Sequence, residues 1–229
     1  MNLLYNGHIP TNSLQKLILT LGSSIISILD PTRDDMVATL GETIGINAAR
    51  YMQRKMHKND EGKQILTEKP IINSSTINFN YLASLPQNTL GKSYLDWYNN
   101  NNVSPDTRKP VHFIDDPELS YIIRRNRDVH DLLHTVLGMP TNILGEVCVK
   151  WVEAIQTGLP MCALSSLFGP LRFNKRQKKL YVDYYLNWAV NCGYNSNFLM
   201  AIYFEKYWEE SLKSFRKRHN IQEPPLIIK

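Results

Sequence analysis

A chain of 229 residues is long enough to bury a full core and suits one domain better than two. Hydrophobic residues make up 43%, which excludes a disordered chain, and no apolar run approaches the roughly twenty residues of a membrane span. The net charge of +5 is mild and comes with no groove-reading motif, so nucleic acid is not an expected partner.

The first ten residues, MNLLYNGHIP, have the pattern of neither a signal peptide nor an Arg-rich transit peptide. Ser13 is placed to cap a helix running to Leu29, apolar but interrupted by Lys16, Gly22, Ser23 and Ser24, and stopped by Pro31. A second helical stretch covers about residues 33–57, with Gly41 and Gly45 as candidate breaks. Residues 58–90 carry Asn, Ser and Pro loop signals and one candidate short strand at 77–79. A short helix at 91–98 leads through the Asn-rich patch 99–102 into a polar loop ending near Pro110.

The second half is more legible. Asp116, Pro117 and Glu118 form an N-cap, an N1 proline and an acidic first turn. That helix continues to Leu137, where Gly138 and Pro140 end it. Thr141 is placed to cap the next, which ends near Gly158 and Pro160. Asn174 opens a basic amphipathic helix ending at Gly193, and Ser196 opens the last, ending near His219. The fold class is therefore mainly α: a single-domain helical bundle over residues 1–229, with a metal site between two consecutive helices. Cys148, Cys162 and Cys192 stand far apart with no C-x-x-C pair, so small core residues in a reducing compartment are expected.

The stretch that carries chemistry is His130-Asp131-Leu132-Leu133-His134, followed twelve residues later by Glu146. Positions i and i+4 share a helix face, so both imidazoles can point at one atom, with Asp131 next to His134. The turn at Gly138 and Pro140 can return Glu146 across them. Two nitrogens and two carboxylates then converge, a set suited to zinc or to a redox-active iron or manganese. Asp131 has a second reading, as a group that only orients a histidine. Arg127 shares the face of His130 and Asp131, where it can clamp a substrate carboxylate or pair with Asp131. Asn142, Glu146, Lys150, Glu153 and Thr157 form one polar stripe, which faces water unless Glu146 is a ligand and the stripe lines a buried cleft. A phosphohydrolase of the H-D type would also need an upstream histidine and a downstream aspartate; His112 and Asp183 are poorly placed for those roles.

The run HDLLHTVLGMPTNILGEVCVKWVEAIQTGLPMCALSSLFGPLR resembles the signature region of the ubiquinone (coenzyme Q) biosynthesis protein 4 family. HIPTNSLQK, DPTRDDMVATLGETIG, DDPELSYIIRRNRDVHD and WEESLKSFRKRHNI resemble its other blocks, in the same order, with 58–90 matching least. The resemblance implies metal-dependent removal of the C1 carboxylate of 4-hydroxy-3-methoxy-5-polyprenylbenzoate, oxidative or simple, and organisation of other coenzyme Q biosynthesis proteins into a complex. It implies a divalent metal on His130, Asp131, His134 and Glu146, with zinc first and iron or manganese as alternatives. It also implies peripheral contact with the matrix side of the mitochondrial inner membrane. The alternative is a non-catalytic scaffold or carrier of the prenyl lipid. Apolar residues 14–29 and 161–168 are candidates to line a lipid groove. Lys175, Arg176, Lys178, Lys179, Lys213, Arg216, Lys217 and Arg218 are candidates to face an anionic leaflet.

Overall fold

The computed structural model describes residues 3–30, 33–101 and 103–225; Pro31 and Asn102, which figure in the expectations above, lie outside the described residues. The chain runs through α1 (Ser13–Leu29), α2 (Asp34–Ile44), α3 (Ile46–Met56), α4 (Asp60–Glu68), α5 (Phe79–Ser84) and α6 (Leu90–Asn101). It continues through α7 (Pro117–Leu137), α8 (Ile143–Thr157), α9 (Pro160–Phe168), α10 (Lys175–Leu180), α11 (Leu186–Asn195) and α12 (Leu212–Arg218). The mainly α expectation holds, and no strand forms among the described residues. Residues 77–79 instead enter α5, whose cap Asn78 accepts from the backbone N–H of Tyr81. One hydrophobic core joins Ala48 to Ile221, and no helix among the described residues is long and apolar enough to cross a membrane.

Local signals account for most helix ends. The α1 cap is Asn12, one residue before the expected Ser13, in a reciprocal pair with Gln15. Gly41 does not interrupt α2; the break falls at Gly45, where the backbone comes so close to the Gly41 carbonyl that a Cβ would collide with it. Asp116 caps α7 by accepting from Glu118 and Leu119, and Gly138 ends it in the left-handed region at φ 67°. Asn142, not Thr141, caps α8; the Thr141 hydroxyl turns away to Asn101. The basic helix opened by Asn174 reaches Asn195, but Tyr181–Tyr185 within it is a turn of π-helix.

The expected helix from Ser196 to His219 forms only at its end. The Ser196 hydroxyl donates back to the Cys192 carbonyl, and α12 is capped by Ser211. Leu199 to Phe204 is buried, and only short 3-10 turns form, at Leu199–Ala201 and Phe204–Lys206. Two of the segment's backbone N–H groups go to side chains from afar: Gln156 accepts from Leu199 N–H, and Glu61 accepts from Tyr203 N–H.

α7 is the longest helix and lies in the core, with residues buried on most of its faces. Arg125 is fully enclosed and meets Glu205 through both terminal nitrogens, at 2.5 and 2.8 Å. Truncating Glu205 to Ala strands that guanidinium and is expected to cost about 3–5 kcal/mol. Arg125→Met leaves only a carboxylate that already reaches water, and should cost less. Urea unfolding of the two variants checks the order; equal losses would show that the arginine is not the enclosed partner.

Candidate metal centre

His130 and His134 sit one turn apart on α7, and the Gly138 turn sends α8 back alongside them. That return is tight: a Cβ on Gly145 would collide with the Pro140 carbonyl oxygen, so only glycine lets the first turn of α8 close against the turn before it. Glu146 is thereby brought onto both rings. Its Oε1 lies 3.2 Å from His134 Nε2 and its Oε2 3.5 Å from His130 Nε2. The ligand atoms of His130, His134 and Glu146 all fall within 4.8 Å of one another, a group that can hold a metal ion.

Each imidazole is oriented from behind. His134 Nδ1 faces the Met139 carbonyl at 3.1 Å, and the Trp97 indole donates to the same oxygen while stacking on the ring. His130 Nδ1 lies 3.0 Å from Glu153 Oε1. An acceptor at each Nδ1 puts the proton there and leaves the Nε2 lone pairs turned toward Glu146. His134 Nε2 is buried and has no hydrogen-bond partner, although Glu146 Oε1 lies 3.2 Å away. A buried nitrogen left without a partner, facing a carboxylate and a second imidazole, fits a metal ligand. The set of two histidines and one glutamate suits zinc with an open position, or iron.

Of the polar stripe of α8, Lys150 and Glu153 line a cleft, while Asn142 is exposed. Glu153 is almost fully enclosed and holds Lys150 at 2.5 Å through Oε2. Burial and Lys150 act to lower the pKa of His130, but Glu153 and Glu146 outweigh them and hold it above its ordinary value. Burial also opposes ionisation of the two glutamates, yet the two imidazoles beside Glu146, and Lys150 and His130 beside Glu153, keep both well below the usual carboxylate range. Against the desolvation that would lower it, Lys150 is pushed up by Glu153. The three cysteines are free and buried; burial lifts the Cys148 thiol to about 12.

Asp131 stands apart from the group. Its carboxylate is held instead in an ion pair with Arg108. Arg127 pairs with Glu42 at 2.8 Å, not with Asp131, and donates to the carbonyls of Ala38, Lys109 and Pro110. Its guanidinium stitches α2 to the loop before α7, and it reaches the wall of a cleft of about 270 Å³. That cleft is bounded by α2, α7, α8 and the start of α9, and His130, Lys150 and Glu153 open onto it. His112 Nδ1 donates to the Gly7 carbonyl and Asp183 pairs with Lys179, so neither joins the group. Trp97 and Arg108 gave no signal in the sequence, because they act through contacts distant along the chain; Met139 lies five residues from His134 but acts through its backbone carbonyl, which residue type does not reveal.

Glu146→Gln should abolish stoichiometric metal binding and leave the fold intact, measured by elemental analysis and circular dichroism. Asp131→Asn should do the reverse: keep the metal and lose roughly 1–3 kcal/mol of stability as Arg108 loses its partner. Loss of metal from the Asp131 variant at unchanged stability would restore the aspartate to the ligand set.

The family model described as coenzyme Q (ubiquinone) biosynthesis protein Coq4 matches residues 5–225. A Xenopus tropicalis protein named ubiquinone biosynthesis protein COQ4 homolog, mitochondrial, is 52% identical over 98% of this chain and 80% of its own length. The human protein of the same name is 47% identical over 98% of this chain and 85% of its own. Among solved structures, a Nostoc punctiforme protein named for ubiquinone biosynthesis shares the fold with a TM-score of 0.71 at 21% identity, over 93% of this chain and 99% of that one. The chain belongs to the Coq4 family of coenzyme Q (ubiquinone) biosynthesis proteins.

Proposed function

We propose that this protein removes the C1 carboxylate of 4-hydroxy-3-methoxy-5-polyprenylbenzoate, using a metal held by His130, His134 and Glu146. The observation that carries the reading is the joining of that group to the cleft: His130 belongs to both, and Lys150 and Arg127 stand on the cleft wall. The hydroxyl para to the carboxylate feeds electron density into C1, which becomes the carbon that accepts a proton or an oxidant. Lys150 and Arg127 offer positive charge to a bound carboxylate, and Arg127 also keeps α2 and the preceding loop closed around it. Lys150 carries N–H groups at the wall from which a proton can reach C1 in the simple route. A bound metal would supply Lewis acidity to the phenolate or carboxylate, or, if iron or manganese, redox chemistry with dioxygen that zinc cannot provide.

The prenyl tail and the place of work follow the same reading. Leu14, Leu17, Ile18, Leu21, Ile25 and Leu29 form an exposed stripe on α1, each more than half exposed. Leu164, Leu167, Phe168 and Leu171 are exposed near the end of α9, and Arg172, Lys175, Lys178 and Lys179 follow on the surface. An apolar face next to cations suits a peripheral contact with an anionic leaflet. The relatives are named mitochondrial, and we take the matrix side of the inner membrane as the site, beside other coenzyme Q biosynthesis proteins. Of the basic residues on the last helix, Arg216 turns inward to the Val136 carbonyl, so it is not part of that surface.

The exposed α1 stripe also favours a second reading, a carrier or scaffold for the prenylated intermediate without chemistry of its own. Carboxyl-labelled substrate separates the two. Protein loaded with zinc, iron or manganese in turn, with and without oxygen, should release labelled carbon dioxide. His130→Ala and His134→Ala should reduce release to the blank. Oxygen-dependent release with iron or manganese alone selects the oxidative route. No release with any metal, combined with tail-dependent binding lost in a Leu17→Ser, Leu21→Ser variant, would favour the carrier.

A further inference from the structure

Resting on the metal reading above, we propose that Glu153 is a positioning residue of the metal centre, setting the tautomer and aim of His130. The two histidines are oriented by different means. His134 is held by the Met139 carbonyl, a neutral acceptor delivered by the turn that ends its own helix. His130 is held by a carboxylate from the neighbouring helix. A carboxylate behind the ring makes the opposite nitrogen the stronger electron-pair donor to a metal.

Glu153 is built for this task and for little else. It is 1% exposed, and each of its oxygens is occupied. Oε1 takes His130 Nδ1, while Oε2 takes the Lys150 ammonium at 2.5 Å and the Cys162 thiol at 3.5 Å. The carboxylate therefore cannot rotate without breaking an enclosed contact. It lies two turns beyond Glu146 on the same face of α8. One helix thus supplies a ligand and also the group that aims the ligand of the other helix, which locks the register of α7 against α8.

Removing Glu153 would do more than loosen the ring. The next polar group at His130 Nδ1 is Lys150 Nζ, at 3.5 Å. An ammonium donates, so it favours a bare Nδ1 and moves the ring proton to Nε2. That turns an N–H toward the seat of the metal.

Zinc titration against a chromophoric chelator tests this. Glu153→Ala should bind zinc about 10–100-fold more weakly than wild type. Adding Lys150→Met, which removes the donor, should recover part of that loss. Circular dichroism of the metal-free forms separates weaker binding from misfolding. If Glu153→Ala does not fold, the wild-type protein still decides: long-range 15N–1H spectra of the zinc-loaded form should show His130 protonated at Nδ1 and bound through Nε2. Wild-type zinc affinity in a folded Glu153→Ala, beside loss of zinc in Glu146→Gln and His134→Ala, overturns the positioning role and leaves the metal reading standing. Zinc bound through His130 Nδ1 also overturns it. Equal zinc affinity in wild type, Glu146→Gln and His134→Ala removes the metal reading and this proposal with it.

Discussion

α7 carries Ser120, Arg125, Asn126, Asp128, Asp131, His134 and Thr135 into a hydrophobic interior. A buried polar group left without a partner costs about 1–3 kcal/mol, and a charged one more. Each of the charged residues on this helix therefore demands a matching group at a fixed place. Glu205 is called to Arg125, Arg108 to Asp131 and Glu42 to Arg127, and Arg124 one turn back to Asp128. These partners come from α2, from the loop before α7 and from the irregular segment after α11, so satisfying one helix ties down three separated parts of the chain. Glu42 shows how far this extends: it also accepts from the backbone of His112 and Phe113, which brings the loop leading into α7 against α2.

The cleft is a by-product of that matching. Arg127 spans from α7 to α2 and holds them at a distance set by a guanidinium rather than by aliphatic packing. The space left between them is bounded by Val37, Ala38 and Gly41 on one side and by Lys150 and Glu153 of α8 on the other. The aromatic acid of the proposed function would meet an apolar side for its ring and a cationic side for its carboxylate. The same guanidinium that looks, in the sequence, like a clamp for substrate serves the fold first. Lys150 stands on the same wall, held at 2.5 Å by Glu153, whose other oxygen faces His130.

What was legible in the sequence was local. Asp116-Pro117-Glu118 and Gly138 mark the ends of α7 through backbone groups within four residues of each cap. The spacing of His130 and His134 places them on one face whatever surrounds the helix. Glu146 could be anticipated because a tight turn leaves its helix few ways to return. The illegible parts depended on residues far along the chain. Asp131 has the right type and position for a ligand, and only the arrival of Arg108 from 23 residues upstream turns it into half of an ion pair. The segment after Ser196 is apolar enough to read as a helix, yet two of its backbone N–H groups are claimed by Glu61 and Gln156. For the α8 stripe, a solvated face and a buried cleft have the same pattern, and burial alone separates them.

The count of ligands bears on what the centre is for. A structural metal site is closed by four protein groups, often thiolates, because any open position costs binding energy and admits water. Here three side chains converge, the fourth candidate is committed to Arg108, and all three cysteines lie outside the group. Glu146 is the most exposed of the three and His134 the most enclosed, at 38% and 1% of the side chain, so the group opens on one side only. A three-membered, one-sided group joined through His130 to a cation-lined cleft fits the proposed catalytic role better than a closed structural site. It is well suited to receiving an anionic oxygen ligand that the protein does not itself provide.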